Sequence, residues 1–104
     1  MQKRLQVYGL VDPRNHNVYY VGRSINCKFR FMAHWNNKNH PSNKKDKKSQ
    51  WLRRLEKLNL RPFLVILQYR HYLSVDTREG FWINHFRKQN PRMTNLMPYR
   101  NKAT

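Results

Sequence analysis

The chain has 104 residues, with 22 lysines and arginines against 5 acidic residues and a formal net charge of +17. This length predicts one small domain over residues 1–104. Self-repulsion of this size opposes compaction, so the charge is too large for a solubility device and indicates an anionic partner.

The single cysteine, Cys27, excludes an internal disulfide and a cysteine-based zinc site, and it fits a reducing compartment. The longest apolar run, residues 63–67, is too short to cross a membrane, and the N-terminal segment lacks the apolar centre of a signal peptide. We predict a soluble, cytoplasmic protein that binds nucleic acid. An acidic membrane surface is the weaker alternative, because the basic residues do not line one face of a long amphipathic helix.

The first quarter of the chain predicts a β-hairpin. Residues 5–11 and 18–22 are rich in β-branched and aromatic residues, and they flank a turn-forming stretch at 12–17. Ser24 or Asn26 can cap a helix that follows. The side chains at four-residue spacing that we expect this helix to bury are Cys27, Phe31 and Trp35.

Residues 36–48 form a polar segment with five lysines, which predicts a solvated loop that can contact phosphates. Ser49 is the predicted N-cap of a second helix over residues 50–59, followed by a strand at 63–69. The continuous apolar character of that strand predicts a central position, covered on both faces. The side chains of the second helix expected to face inward are Leu52, Leu55 and Leu58.

The order strand, strand, helix, helix, strand, helix predicts an α+β fold. A three-stranded antiparallel sheet would be flanked by three helices, in an arrangement like an α/β sandwich. Ser74 and Asp76 are the residues expected to open the third helix, and neither an internal repeat nor a second domain is predicted.

Glu79 is an acidic residue in the apolar register of the third helix. Steps of four, three and four residues place Val75, Glu79, Trp82 and Phe86 on one face. A carboxylate on such a face needs a partner. One of the many cations could provide an ion pair, and a divalent metal is the alternative.

Six residues of five types occur here in an order that resembles the GIY-YIG nuclease superfamily. The resemblance runs from about Leu5 to Leu96, which implies a core over about residues 5–96 followed by a short basic C-terminal tail. The first signature would be Gln6-Val7-Tyr8, with glutamine in place of the family's glycine, and the second is Tyr20-Val21-Gly22. The sequence around Glu79, Arg78-Glu79-Gly80-Phe81-Trp82-Ile83, resembles the phage homing-endonuclease branch. The matching residues are Tyr8, Tyr20, Arg30, His34, Glu79 and Asn95.

The resemblance implies a metal-dependent endonuclease that acts on DNA. Glu79 would be the sole protein ligand of one Mg²⁺ or Mn²⁺, since a hard cation accepts one carboxylate together with waters and the substrate phosphate. Arg30, a permanently charged bidentate donor, would bind the phosphate.

The remaining residues would act on the attacking water or support the site. Tyr8 would deprotonate or orient the water, and Tyr20 would support it, although which tyrosine is the base stays open. His34 would help to hold Tyr8 or the phosphate, and nearby cations would have to favour the phenolate of the base. The resemblance also implies that Asn95 anchors the loop around the site.

The expected partner is double-stranded or branched DNA, bound mainly through phosphates. The sequence leaves the oligomeric state open, and a monomer is favoured. The chain could be a stand-alone enzyme or the catalytic fragment of a homing-type endonuclease encoded by a phage. A catalytically inactive nucleic-acid-binding module on the same scaffold and a small basic RNA-binding protein are the competing hypotheses. The predicted DNA contacts are Arg23, Lys44, Lys45, Lys47, Lys48, Arg53, Arg54 and Lys57.

Overall fold

The structure is a computed structural model that describes residues 4–74 and 76–95. The predicted order of elements and the three-stranded antiparallel sheet are confirmed, with strand order β2-β1-β3. The elements are β1 (Arg4–Val11), β2 (Val18–Ser24), α1 (Cys27–Asn36), a short 3-10 helix (Pro41–Asn43), α2 (Lys47–Lys57), β3 (Phe63–His71) and α3 (Glu79–Gln89).

The central strand is β1, so the prediction of a central strand at residues 63–69 is wrong. β1 pairs with β2 on one side and with β3 on the other, while β3 pairs only with β1 in the described sheet. Phe63, Ile66 and Tyr69 of β3 are exposed by 54%, 43% and 49%. The apolar run was misleading because hydrophobicity alone does not say how many partners a strand has.

The sheet separates two buried clusters, because side chains alternate between the faces of β1. Tyr8 and Leu10 point towards α1 and α2, whereas Val7 joins a second cluster with Ile83 of α3. Sheet and helices thus form layers with an apolar core on each side of β1. Among the described residues, no helix is long and apolar enough to cross a membrane.

The cap of α1 is confirmed and the cap of α2 is not. Asn26 caps α1, with its side-chain oxygen accepting a hydrogen bond from the Phe29 amide at 3.1 Å. α2 begins at Lys47 behind Asp46, whose carboxylate accepts from the backbone amide of Ser49 at 3.2 Å and from its hydroxyl at 2.7 Å. Ser49 therefore lies inside the first turn, because the acidic side chain three residues earlier takes the capping position.

The inward face of α2 is predicted correctly in part. Leu52 and Leu55 are fully buried, but Leu58 is the C-cap residue and is 51% exposed. Leu58 is outside because the helix ends before another turn can carry that side chain to the core.

α3 begins at Glu79, later than predicted from Ser74 and Asp76. The Asp76 carboxylate instead accepts a hydrogen bond from the Arg78 amide at 2.9 Å, which forms a local turn before the helix. Arg78 has φ of 65° and caps the helix without a side-chain hydrogen bond. Val75, expected on the face of Glu79, lies outside the described residues.

The polar segment between α1 and α2 is more ordered than a solvated loop. Lys38 is only 4% exposed, and its ammonium lies 2.8 Å from the Glu56 carboxylate and 4.0 Å from the centre of the Trp35 ring. The same ammonium donates to the Trp35 carbonyl at 3.0 Å. The expectation that all five lysines are solvated is therefore wrong for Lys38.

The outer side of β2 is covered by the segment that follows α3. The Asn90 side-chain amide donates to the Val18 carbonyl at 2.9 Å, and the Thr94 amide and hydroxyl donate to the Tyr19 carbonyl at 2.6 and 2.9 Å. These bonds satisfy backbone acceptors of a strand that has one partner in the sheet.

A buried carboxylate fixes the hairpin turn to α2. Asp12 is fully buried and accepts from the Arg14 guanidinium at 3.0 and 2.8 Å and from the Trp51 indole at 2.9 Å. Burial by itself raises the pKa of Asp12, but the hydrogen bonds from Arg14 and Trp51 outweigh it and the net pKa is lowered. Asp12 is therefore charged and paired in the folded state.

We expect Asp12→Ala to lower the free energy of unfolding by about 2 kcal/mol, because it leaves the buried indole donor of Trp51 without its acceptor. Urea denaturation at neutral pH measures this. Asp76→Asn is the control, since the exposed Asp76 keeps its capping oxygen in that variant. Equal stability of the two variants would contradict the role of Asp12.

Candidate active site

Tyr8 and His34 form a buried hydrogen bond between the central strand and α1. Tyr8 is 1% exposed and His34 is 8% exposed. The phenolic oxygen of Tyr8 lies 3.1 Å from Nε2 of His34. The sheet supplies one partner and the helix the other, so the bond depends on how α1 packs on β1.

Tyr20 completes an aromatic cluster on the same side of the sheet. Its ring centre lies 6.3 Å from that of Tyr8 and 5.3 Å from that of His34, which it meets edge to face. The ammonium of Lys48 lies 5.0 Å from the centre of the Tyr20 ring. The structure thus brings together both tyrosines and the histidine, with a cation of α2 over one ring.

Gly22 makes room for the two tyrosines. It is the partner of Tyr8 in the β1–β2 register. A methyl group at Gly22 would lie 2.5 Å from the Tyr8 oxygen, 2.6 Å from Tyr8 Cζ and 2.9 Å from Tyr20 Cε2. Neither ring can keep its place beside a larger residue, so the glycine is needed for close approach of the side chains.

Gln6 stands where the first signature of the family has glycine, and its side chain makes a specific contact. Its side-chain oxygen accepts a hydrogen bond from the backbone amide of Cys27, the first residue of α1, at 2.8 Å. Helix N-termini leave amide donors that need such acceptors. Gln6 therefore joins the start of α1 to β1, the strand that carries Tyr8.

Arg30 is exposed on α1, one turn before His34. This spacing puts it on the same side of α1 as His34. Its positive charge acts to lower the pKa of Tyr8, Tyr20 and His34. An exposed guanidinium beside this cluster is accessible to a phosphate.

Glu79 is the first residue of α3, and its side chain is 22% exposed. Burial raises its pKa, and the positive charge of Arg23 lowers it in part. The Arg23 Nε lies 3.7 Å from the carboxylate, and that side chain is 55% exposed. The cation expected as an alternative partner is therefore present, but at a long distance and in contact with solvent.

The carboxylate of Glu79 fits a single hard cation. Among residues 4–74 and 76–95, no group of three or more His, Cys, Asp or Glu side chains could hold a metal. Mg²⁺ does not need such a cage, since it keeps several waters and binds through one or two carboxylates and substrate phosphates. The partial exposure of Glu79 leaves room for those waters.

Asn95 fixes the strand between Tyr20 and Gly22. Its side-chain oxygen accepts from the Val21 amide at 2.9 Å, and its side-chain nitrogen donates to the Val21 carbonyl at 3.0 Å. An amide side chain carries an acceptor oxygen and a donor nitrogen on one carbon, so it can pair with both backbone groups of one residue. Asn95 thus continues the hydrogen-bond pattern of the sheet beyond β2.

Burial keeps the tyrosines protonated. It is the largest cause that raises the pKa of Tyr8 and of Tyr20 above the ordinary tyrosine value, and Arg30 offsets only part of it. The negative charge of Glu79 raises both further. The requirement that nearby cations favour a phenolate is therefore not met by the protein's own charges.

His34 is uncharged at neutral pH. Burial, together with the positive charges of Lys48 and Arg30, lowers its pKa to about 4, against an opposite effect of Asp46. One ring nitrogen of a neutral histidine is an acceptor. His34 can therefore accept the Tyr8 proton in the hydrogen bond between them.

The predicted DNA contacts fall into two groups. Lys48 is half-buried over Tyr20, and the half-buried Arg53 donates to the carbonyls of Lys38 and Lys44, so these two cations are engaged inside the protein. The exposed members are Arg23, Lys44, Lys45, Lys47, Arg54 and Lys57.

The place of Lys48 in the aromatic cluster was missed from the sequence. A signal was available, because Asp46 precedes Ser49 by the spacing of an N-cap and would have placed Lys48 in the first turn of α2. Because we interpreted this segment as a loop, the sequence did not predict where the side chain of Lys48 would lie.

A comparison with family models supplies the deciding observation, since the model described as the GIY-YIG catalytic domain matches residues 5–93. The chain belongs to the GIY-YIG family. The match includes Tyr8, Tyr20, Arg30, His34 and Glu79, and it ends two residues before Asn95. No curated protein and no solved structure matches the chain.

Membership supports a GIY-YIG-type nuclease, and nucleic acid as its substrate. In this GIY-YIG domain, glutamine replaces the glycine of the first signature and links β1 to α1. The second signature keeps the glycine against which the tyrosines pack.

We expect Gly22→Ala to lower the free energy of unfolding by about 2 to 3 kcal/mol, because the added methyl overpacks the two rings. Gly9→Ala in β1 is the matched control. Its added methyl would lie 3.3 Å from a Val18 methyl and 3.4 Å from a Val65 methyl, which small shifts can accommodate. Urea denaturation of both variants tests this, and a larger loss for Gly9→Ala would contradict it.

The buried His34 should make stability depend on pH. The unfolded chain takes up this proton near pH 6.5 and the folded chain only near 4, so the unfolded state binds more protons between these values. Stability should therefore fall as the pH falls through that window, by up to about 3 kcal/mol.

His34→Gln should flatten the pH dependence of the unfolding free energy between pH 6.5 and 4, because glutamine does not titrate. Urea denaturation across that range provides the measurement. The exposed His85→Gln is the control, and it should keep the parent's slope. A His34→Gln variant with the parent's slope would show that another group causes it.

Proposed function

We propose that this GIY-YIG domain is a metal-dependent endonuclease that hydrolyses phosphodiester bonds in DNA by a one-metal mechanism. The observation that carries the proposal is the 3.1 Å contact between Tyr8 and an uncharged His34, beside an exposed Arg30. This arrangement offers a proton acceptor and an anion-binding group in one place, which phosphodiester hydrolysis needs.

The high pKa of Tyr8 does not prevent it from acting in a proton relay. As the water oxygen bonds to phosphorus, Tyr8 can take the water's proton and pass its own phenolic proton to Nε2 of His34. The bond from phosphorus to the 3′ oxygen breaks, and that oxygen takes a proton from solvent. No free phenolate has to accumulate, so the cost of ionising a buried tyrosine is avoided.

Substrate binding would itself improve His34 as an acceptor. The charges of Lys48 and Arg30 help to keep its pKa low in the free protein. A bound phosphate would offset those charges, so the histidine would become more basic when DNA is present. The relay is thus favoured in the complex.

Glu79 would hold the Mg²⁺ or Mn²⁺, and the bound cation would supply positive charge to the phosphoryl oxygens. Arg30 would bind the same phosphate, and Tyr20 would pack against Tyr8 and His34 to fix their orientation. Arg23, at 3.7 Å from Glu79, keeps a counter-charge near the carboxylate in the free protein. Its exposed side chain could turn to DNA when a cation binds.

The DNA would be held mainly through phosphates, as the high net charge and the exposed Lys44, Lys45 and Lys47 favour. A homing-type role in a phage-encoded enzyme and a cytoplasmic location belong to the same proposal. They are supported by the sequence context of Glu79 and by the single cysteine, respectively.

Glu79→Gln should lower the rate of DNA nicking at least a thousandfold, because it removes the only carboxylate proposed for the cation. Supercoiled plasmid with Mg²⁺ or Mn²⁺, compared with chelator, gives the measurement. Asp76→Asn is the control and should nick at the parent's rate.

The same assay separates the competing functions. Metal-dependent products from the parent but not from Glu79→Gln support the endonuclease. Tight, salt-dependent binding of DNA without nicking under any metal would instead identify an inactive DNA-binding module. Preference for an RNA duplex over a matched DNA duplex would favour the RNA-binding alternative.

A further inference from the structure

Three apolar side chains on and just before α1 are exposed in a single stripe. Ile25, Phe29 and Met32 are 52%, 70% and 60% exposed. Phe29 and Met32 are three residues apart on α1 and lie on one side of the helix, and Ile25 immediately precedes the N-cap residue Asn26. The opposite side of α1 carries the buried Cys27 and His34, so the stripe points away from the sheet. We call Ile25, Phe29 and Met32 the α1 ridge.

Positive charges lie on both sides of the α1 ridge. Lys28 and Arg30 are exposed neighbours of Phe29 in sequence. Successive residues of a helix differ by about 100°, so these two side chains leave α1 on opposite sides of Phe29. The ridge is therefore an apolar edge between two cations.

Arg30 links the α1 ridge to the candidate active site. It lies four residues before His34 on α1, so the two side chains share the side of the helix that faces the cluster. A phosphate bound at Arg30 would bring the backbone of the same strand past α1. The adjacent ridge would then face the bases.

The charges decide which partner fits the α1 ridge. A second copy of the chain would bring another net charge of +17 to the same surface, and Lys28 and Arg30 would face like charges. DNA offers the complementary pattern, with stacked apolar bases between two rows of phosphates. Proteins that bend DNA insert Phe, Met, Leu or Ile between base steps of the minor groove, and their cations bind the flanking backbone.

We propose that the α1 ridge is a wedge that enters the minor groove of DNA and partly unstacks a base step close to the cleaved phosphate. Phe29 and Met32 contact the bases, and Lys28 and Arg30 bind phosphates on either side. The inference rests on the proposed function for its DNA substrate. It adds that the enzyme distorts the duplex it cuts, which favours sequences that are easily unstacked.

Binding measured without metal tests the wedge separately from cleavage. The probe is a DNA duplex with 2-aminopurine at several positions, whose fluorescence rises when a neighbouring base unstacks. In chelator, the Phe29→Ala/Met32→Ala double variant should bind about tenfold more weakly than the parent and should lose the fluorescence rise. Phe29→Leu, which keeps an apolar side chain, should retain most of both.

Phe63→Ala is the matched control, because Phe63 is an exposed phenylalanine on β3 and is not part of the α1 ridge. It should leave affinity and fluorescence unchanged. Circular dichroism should show that all variants fold, as expected for substitutions of exposed side chains.

Two results would overturn the wedge. One is a double variant with the parent's affinity and fluorescence. The other is a parent that forms dimers in size-exclusion chromatography and becomes monomeric on Phe29→Ala/Met32→Ala, since the ridge would then cover a second copy.

Nicking of the same duplex with Mg²⁺ keeps the two proposals apart. If the parent protein unstacks the DNA but does not nick it, the wedge is supported and the endonuclease proposal is contradicted. If the parent protein nicks the DNA without any fluorescence change, the endonuclease is supported and the wedge is contradicted.

Discussion

The packing of Tyr8 against Gly22 is the constraint on which the site depends. Tyr8 projects from the central strand, and the absence of a side chain at its cross-strand partner leaves the space for its ring. That position puts the phenolic oxygen within 3.1 Å of His34 on α1. The place of the Tyr8 ring, and with it the hydrogen bond to His34, therefore depends on a single small residue.

Several contacts outside the cluster of Tyr8, Tyr20 and His34 keep this arrangement in register. Gln6 holds the start of α1, Asn95 holds β2 at Val21, and Asp12 holds the hairpin turn against Trp51. Each is a polar side chain that satisfies backbone or indole groups within the fold. The site is thus placed by bonds that take no part in the proposed chemistry.

The electrostatics of the site follow from a buried cluster inside a very basic chain. Burial keeps Tyr8 protonated and His34 neutral, while Arg30 and Lys48 bring positive charge to the same place. Such a site favours the binding of an anion, because a phosphate would reduce the repulsion between the two cations. The same phosphate would raise the pKa of the histidine. Glu79 adds one carboxylate at the start of α3, where the helix dipole favours it.

The sequence by itself determined the class of fold, the order of the elements, the buried leucines of α2 and the family. These features depend on turn residues, strand composition and motif spacing, which are local properties of the sequence. They can be predicted without knowing which distant residues are in contact. The tertiary structure alone decided that β1 is central, that Lys38 is buried, and that α3 begins at Glu79. These features depend on which surfaces meet, and a hydrophobic strand or a lysine carries the same local signal whether or not another element covers it.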